Sequence, residues 1–418
     1  MNLLVLHPNY PGQLGRLAAA LAEREGWKVA AIGRGPREPE RVLPAHYTYY
    51  EKYVSGPETD FPPIEAFGQH VRQGRAVAER LQSLRDKGFQ PDVIFAHPGW
   101  GETMFLRDVY PRARFVAYLE YFYRNTDSDV DFDPEFPAPD HDLQYVSLRN
   151  ATNLLAFAAA DDCVTPTHWQ ASGFPPNIRQ ALTVLHEGVE TGKAVPKPDA
   201  AFSLPGGGTV SRSDEILTYV ARSLEPYRGF HVFMRLLPEL LQQRPHLKVL
   251  VVGNDGVSYG RAPGDAMTWR QKMLEQVGGS LDLSRVYFLG QLPYADYLNV
   301  LQVSTVHLYL TYPFVLSWSL LEAMSIGCAV VASSTGPADE VIEDGRNGRL
   351  CGFFNREALV SCISGLLDDR VEAARLGAAA RQTIISRYDF DTLIYPRYRA
   401  FLSGDGQAVQ GLPLGRRD

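Results

Sequence analysis

ILTYVARSLEPYRG, residues 216–229, is the stretch whose reading decides the fold. Its first half, Ile216–Val220, is a nearly continuous apolar run, the pattern of a strand buried on both faces of a parallel sheet. The second half breaks at once into a turn with Pro226 and Gly229, and carries two arginines, Arg222 and Arg228. Gly229 is placed to open a helix. Working outward, the same alternation continues downstream through Leu247–Val252, Val286–Leu289, Thr305–Leu310 and Cys328–Ser333. Upstream it begins with Leu3–Leu6, the helical pattern Leu14–Glu25 and Val29–Ile32. It resumes with Asp92–Ala96, Phe115–Leu119, Asp162–Thr165 and Leu182–His186.

Strands alternating with helices require crossover connections and a doubly wound sheet. Between the two series lies Thr191–Arg212, with Pro196, Pro198, Pro205 and Gly206-Gly207-Gly208, a linker composition. The expectation is an α/β chain of two Rossmann-like doubly wound domains, residues 1–190 and 213–387, joined by a linker at 191–212. Residues 388–403 read as a helix returning to the N-terminal domain, and 404–418 as a flexible tail. Two such sheets facing a cleft would bind ligands at the carboxyl ends of their strands.

The totals agree with a globular chain: 418 residues, 45% hydrophobic and 21% charged, suit two domains with sizeable cores. A net charge of −7 argues against a broad nucleic-acid surface. Cys163, Cys328, Cys351 and Cys362 form no C-x-x-C pair, so neither zinc nor a redox dithiol motif is indicated. The N-terminus lacks the cationic start and cleavage site of a signal peptide, and no run reaches the length of a membrane helix. The expected location is the cytoplasm, with attachment to the inner face of a membrane compatible.

Candidate chemistry lies at strand ends. Arg222 and Arg228 offer planar donor forks suited to a diphosphate, where fixed cations stabilise a departing anion; pairing with Glu225 or Asp214 is the plainer reading. Glu322 opens a helix after Thr305–Leu310. It is read either as half of a Ser319-x-x-Glu322 capping box or as a carboxylate accepting two ribose hydroxyls. Phe314, Val315 and Leu316 form the turn before it, with backbone groups available to a donor. Gly253 and Gly290 end two further strands, as turn residues or as donor contacts. In the first domain Gly12 and Gln13 lie between a strand and a helix, without the G-x-G-x-x-G fingerprint of dinucleotide binding, so a nicotinamide or flavin cofactor is not expected. His97-Pro-Gly-Trp100-Gly-Glu102 ends another strand: His97 is the catalytic candidate, and Trp100, Glu102 and Tyr121 are placed on an acceptor side, with plain packing as the other role for Trp100. Asp127, Asp129, Asp131 and Asp133 alternate in a loop read as a solvated acidic rim rather than a metal site.

Together these residues resemble the family 4 retaining glycosyltransferases of GT-B architecture. Arg222 and Arg228 fall where that family has Arg, five residues, then Lys, and Glu322-Ala-Met matches its second motif acid. Gly336, Glu340-Val-Ile342, Gly345 and Asn347-Gly348 follow the same pattern, and His97 takes the place of a donor-sugar histidine. His7–Gln13, His97–Glu102, Phe132–Glu135 and Pro166–Gln170 resemble an N-terminal subgroup of the family. One departure stands out: the family's first motif acid is Phe314 here.

The resemblance implies metal-independent sugar transfer with retention of anomeric configuration. The substrate is a nucleoside-diphosphate sugar, UDP favoured over GDP or TDP, with no further cofactor and no nucleic-acid partner. Arg222 and Arg228 would grip the diphosphate, Glu322 the ribose, and His97 the sugar. The acceptor, whether a glycan, a lipid-linked molecule or a small molecule, is unspecified. A catalytically silent nucleotide-sugar-binding protein and a nucleotide-sugar epimerase are the competing readings.

Overall fold

The computed structural model describes residues 1–38, 44–52, 62–138, 140–264 and 267–405, and the side chains of all of these but residues 62, 63 and 140–143. It divides into two compact units. One is formed by Met1–Glu187 with the segment from Asp391 onward, the other by Gly188–Phe390.

The first unit holds seven parallel strands: β1 (Asn2–Leu6), β2 (Lys28–Arg34), β3 (His46–Tyr50), β4 (Val93–Ala96), β5 (Arg114–Tyr118), β6 (Asp162–Thr165) and β7 (Leu182–Val184). Their order is β3-β2-β1-β4-β5-β6-β7. Leu3, Leu4, Val5 and Leu6 are all buried, as are Val93–Ala96, because helices cover both faces of a parallel sheet. The strand order reverses between β1 and β4, and the chain leaves both strands there at His7 and His97.

The last helix of this unit, Tyr395–Ser403, is tied to it by polar bonds that span the chain. The Tyr398 hydroxyl donates to the Leu185 carbonyl at 2.8 Å, and Arg114 donates to the carbonyls of Phe401 and Leu402 at 2.8 and 3.0 Å.

The second unit repeats the design. After β8 (Ala201–Ser203) and β9 (Thr209–Ser211) come six parallel strands: β10 (Ile216–Ser223), β11 (Lys248–Asn254), β12 (Val286–Gly290), β13 (Val306–Tyr309), β14 (Ala329–Ser333) and β15 (Arg349–Cys351). Their order is β12-β11-β10-β13-β14-β15, so the reversal falls between β10 and β13.

One expectation changes. The stretch 191–212 is not a free linker: it belongs to the second unit, and β8 and β9 pair in it as an antiparallel hairpin. Gly206, Gly207 and Gly208 all take positive φ (85°, 107° and 86°), which glycine adopts without a Cβ penalty, so they turn a hairpin rather than loosen a tether. Val210 and Phe202 then pack on Leu204, Val300 and Val303. The tail expected at 404–418 lies outside the described residues from 406 onward. No described helix is long and apolar enough to cross a membrane.

A glycine pair fixes one helix contact in the second unit. Gly327 ends the helix Trp318–Ile326 at φ 81°, and a Cβ on Gly377, in the helix Arg370–Tyr388, would stand 2.2 Å from the Gly327 carbonyl oxygen. Backbone cannot yield as a side-chain tip can. Gly377→Ala is therefore expected to lower unfolding free energy by about 1–3 kcal/mol despite alanine's better helix propensity. Gly365→Ala, in open space on the helix Arg356–Asp368, is expected to gain about 0.5–1 kcal/mol. Urea titration of both variants checks the pair; equal shifts would contradict the contact.

Candidate functional site

In the first unit two histidines are built alike. Each sits one residue past a central strand, and each Nδ1 accepts a backbone N–H two residues on: Asn9 to His7 at 3.0 Å, Gly99 to His97 at 3.1 Å. In the neutral rings that leaves the proton on Nε2. His7 Nε2 then donates to Gln13 Oε1 (2.6 Å), Gln13 Nε2 donates to Glu120 Oε1 (2.6 Å), and His97 Nε2 donates to Glu120 Oε2 (3.2 Å). The result is a continuous polar chain, His7–Gln13–Glu120–His97, through one carboxylate.

Each imidazole also lies on a glycine. A Cβ at Gly12 would stand 2.4 Å from His7 Cε1, and one at Gly99 2.8 Å from His97 Cε1. Gly12 and Gln13, expected as donor contacts, thus seat and bridge His7.

Burial, with the nearby His97 charge, drives the His7 pKa down to about 3. Burial would raise Glu120, but the hydrogen bonds from His97 and Gln13 and the charge of His97 and His7 outweigh it and hold the carboxyl below its ordinary value.

Glu120 escaped the sequence reading although the strand-end rule that found His97 applies to it, two residues past β5. The acceptor-side residues fare differently. Glu102 is 1% exposed, accepts the Tyr50 hydroxyl (2.7 Å) and the Trp100 N–H (3.1 Å), and is pushed up by burial; it braces its own loop. Tyr121 is buried and donates to Asp129 at 2.8 Å. Trp100 lies against His97, ring centroids 4.9 Å apart. Nor is the acidic loop simply solvated: Asp129 and Asp133 are buried, and Asp131 and Asp133 accept backbone N–H groups of Ala138 and Glu135.

In the second unit β10 delivers Arg222 and Arg228 to the reversal point, but to different environments. Arg222 is exposed and its carbonyl accepts the Asn254 side chain. Arg228 is 5% exposed, set by the short helical turn Pro226–Arg228. Gly229 follows at φ 68°, where a Cβ would collide with Leu310 at 2.4 Å.

Arg228 donates to the Thr311 hydroxyl (2.8 Å), the Tyr309 hydroxyl (3.4 Å) and the Val315 carbonyl (3.5 Å), all neutral acceptors. Tyr259 covers the guanidinium at 5.1 Å. Burial works against this cation, yet Tyr309, Tyr259 and Glu225 keep its pKa above the ordinary arginine value.

Glu225 is not an ion-pair partner for surface arginines. It is fully buried, and its carboxylate accepts the backbone N–H groups of Ser258 (3.0 Å), Tyr259 (3.2 Å) and Gly260 (2.8 Å), which clasps that loop beside Arg228. Phe314 packs edge-on to Tyr227 at 5.7 Å and against Tyr259 at 5.2 Å, in an aromatic wall rather than free to stack on a ligand. Val315 and Leu316 are buried beside it.

The capping-box reading of Glu322 is overturned: the helix Trp318–Ile326 is capped by Ser317, whose side chain accepts the Ser319 N–H. Glu322 instead receives the Tyr294 hydroxyl on Oε1 (2.8 Å) and the Tyr297 hydroxyl on Oε2 (2.7 Å). Gly253 permits close approach to the Ala221 carbonyl, 2.7 Å from a would-be Cβ, and Gly290 turns β12 at φ 66° toward the helix bearing both tyrosines.

His7 takes up a proton near pH 6.5 in the unfolded chain and near 3 in the folded one, so acidification between those values favours unfolding. His7→Asn is expected to flatten the fall of unfolding free energy across this range by about 1 kcal/mol per pH unit. Denaturant titrations at a series of pH values check it; parallel curves for wild type and variant would count against the assignment.

Comparison with known proteins bears on family and fold. Residues 25–194 match the glycosyl transferase family 4 group model, and residues 208–383 the glycosyl transferases group 1 model. The chain is 28% identical over 215 residues to phosphatidyl-myo-inositol mannosyltransferase of Mycolicibacterium smegmatis, covering 50% of each. It is 25% identical over 278 residues to a glycogen synthase of Mycobacterium tuberculosis, covering 66% of this chain and 60% of that one. The matches thus span about half to three-fifths of these relatives.

Among solved structures, sucrose-phosphate synthase from Thermosynechococcus elongatus superposes with a TM-score of 0.73 at 18% identity, covering 98% of this chain and 100% of that one. Anabaena HepE in complex with UDP and glucose gives 0.69 at 19% identity, covering 97% and 100%. With both units matched in sequence and the fold matched throughout, the chain belongs to the family 4 glycosyltransferases and has their GT-B architecture.

Proposed function

We propose that this chain transfers a sugar from a nucleoside-diphosphate donor to an acceptor with retention of anomeric configuration. The observation that carries the reading is Arg228: a buried guanidinium at the strand-order reversal of the second sheet, held by neutral oxygens. A buried cation so placed has charge to offer a diphosphate, and it favours the departing anion more than the bound donor. Arg222, exposed at the end of the same strand, supplies a second, solvated cation.

Glu322 supports the nucleotide half of the reading. Its carboxylate receives a tyrosine hydroxyl on each oxygen, which fixes the plane it would present to vicinal ribose hydroxyls. His97 is assigned to orient the transferred sugar, with Glu120 fixing its ring. Metal plays no part in the proposed step, because the arginines neutralise the leaving group.

UDP is the nucleotide the family resemblance favours, while one relative is named as GDP-mannose-dependent, so both belong in the binding panel with TDP. Phe314 supports a second reading, donor binding without turnover, since an aromatic ring packed in a wall replaces the acid of the family motif.

The test is donor binding and turnover with UDP-, GDP- and TDP-sugars. Arg228→Ala, folded by circular dichroism, is expected to lose roughly 10²–10³ in turnover. Glu322→Gln is expected to weaken nucleotide binding by about tenfold, the scale of a lost charged hydrogen bond. A chelator is expected to leave the rate unchanged. Turnover of Arg228→Ala at the wild-type rate would end the proposal, and tight donor binding with no transfer or hydrolysis would favour the second reading.

A further inference from the structure

Two of the four cysteines meet although ten residues separate them in the chain. Cys351 closes β15, the outer strand of the second sheet, and Cys362 lies in the helix Arg356–Asp368, after the chain has reversed through residues 352–355. The Cys351 thiol donates to Cys362 Sγ at 3.3 Å. Cys351 is buried, Cys362 partly exposed, and both are free thiols.

The other two cysteines are set apart. Cys163 and Cys328 are both buried, with thiols pushed up to about 12 by burial, and Cys328 Sγ is already committed to the Leu301 carbonyl. Cys362 moves the other way: the hydrogen bond from Cys351 lowers its pKa against the cost of burial, and the Arg349 guanidinium, itself bound to Asp344 at 3.0 Å, adds positive charge. A donor thiol and an accessible acceptor sulfur in contact are the two halves of a dithiol exchange pair.

We propose that Cys351 and Cys362 form a reversible intramolecular disulfide, made by exchange with a small-molecule disulfide. Cys362 Sγ, after giving up its proton, attacks one sulfur of the reagent; the reagent's S–S bond breaks and one thiolate leaves and is protonated. Cys351 then loses its proton and attacks Cys362 Sγ in the mixed disulfide, expelling the second thiolate. The protein loses two hydrogens and two electrons, and the reagent is reduced to two thiols. The sulfurs must close by roughly 1 Å to reach bonding distance, a side-chain movement.

The bond would ring the turn that carries Phe353, which packs edge-on to Tyr312 at 5.5 Å. Tyr312 in turn lies 4.7 Å from Tyr227, the residue before Arg228. Oxidation would thereby pin one side of the aromatic wall. The proposal stands whether or not the chain transfers sugar.

The experiment treats the reduced full-length chain with oxidised glutathione, then alkylates it under denaturing conditions and maps its peptides. The expected result is a cross-linked peptide joining Cys351 and Cys362, removed by dithiothreitol, with Cys163 and Cys328 alkylated. C362S is expected to show no cross-link, and C351S to stop at a glutathione adduct on Cys362. If C351S does not fold, C351A takes its place, and the wild-type map with C362S is decisive in either case. Four alkylated cysteines in the treated wild type, a lasting glutathione adduct on Cys362, or a cross-link to another cysteine would each overturn the proposal.

Discussion

A guanidinium taken out of water must be compensated, and the second unit is organised around that requirement. A buried ion without partners costs several kcal/mol. Arg228 is met by Thr311, Tyr309 and the Val315 carbonyl, and roofed by Tyr259. Each partner is itself held. The Thr311 N–H donates to Ser333 Oγ, which ties the end of β14 to the end of β13. Tyr259 is held down by Glu225, whose carboxylate accepts the backbone N–H groups of Tyr259 and Gly260 while its charge also supports the arginine.

The first unit solves a related problem with opposite charge. Glu120 is the anion, and the imidazoles of His7 and His97, with Gln13 between, converge on it. The two histidines are equivalent by position: each follows a strand flanking the reversal, each accepts an amide two residues on, and each rests on a glycine. Only His97 carries Trp100 over its ring, so the pair is alike in scaffold and different in surroundings.

Much of this was legible in the chain itself, for a physical reason. Strands buried on both faces read as unbroken apolar runs, and β1, β4, β5, β10, β11 and β13 all announced themselves that way. β3, His-Tyr-Thr-Tyr-Tyr at the sheet edge, did not, because an edge strand half open to solvent needs no such run. Arg228 and Glu322 were found because they follow strands directly. Glu225 and Glu120 were missed because an acid near a turn reads as a surface group, and the amides that bury Glu225 lie more than thirty residues downstream. The Ser319-x-x-Glu322 spacing misled: the tyrosines that claim the carboxylate sit on another helix, and spacing along one helix says nothing of its neighbours.

The return of the chain to the first unit has a consequence for how the molecule is made. The second unit is one continuous segment, whereas the first is completed only when Tyr398 reaches the Leu185 carbonyl and Phe401 and Leu402 reach Arg114. A ribosome releases residues 398–402 only after the whole of the second unit, Gly188–Phe390, has been made. Domains generally fold as units, N-terminal first, yet here the order is inverted at the final step: the later unit has all its parts in hand before the earlier one can close. Until then the Leu185 carbonyl lacks the Tyr398 hydroxyl, and Arg114 holds Asp162 but not the carbonyls of Phe401 and Leu402.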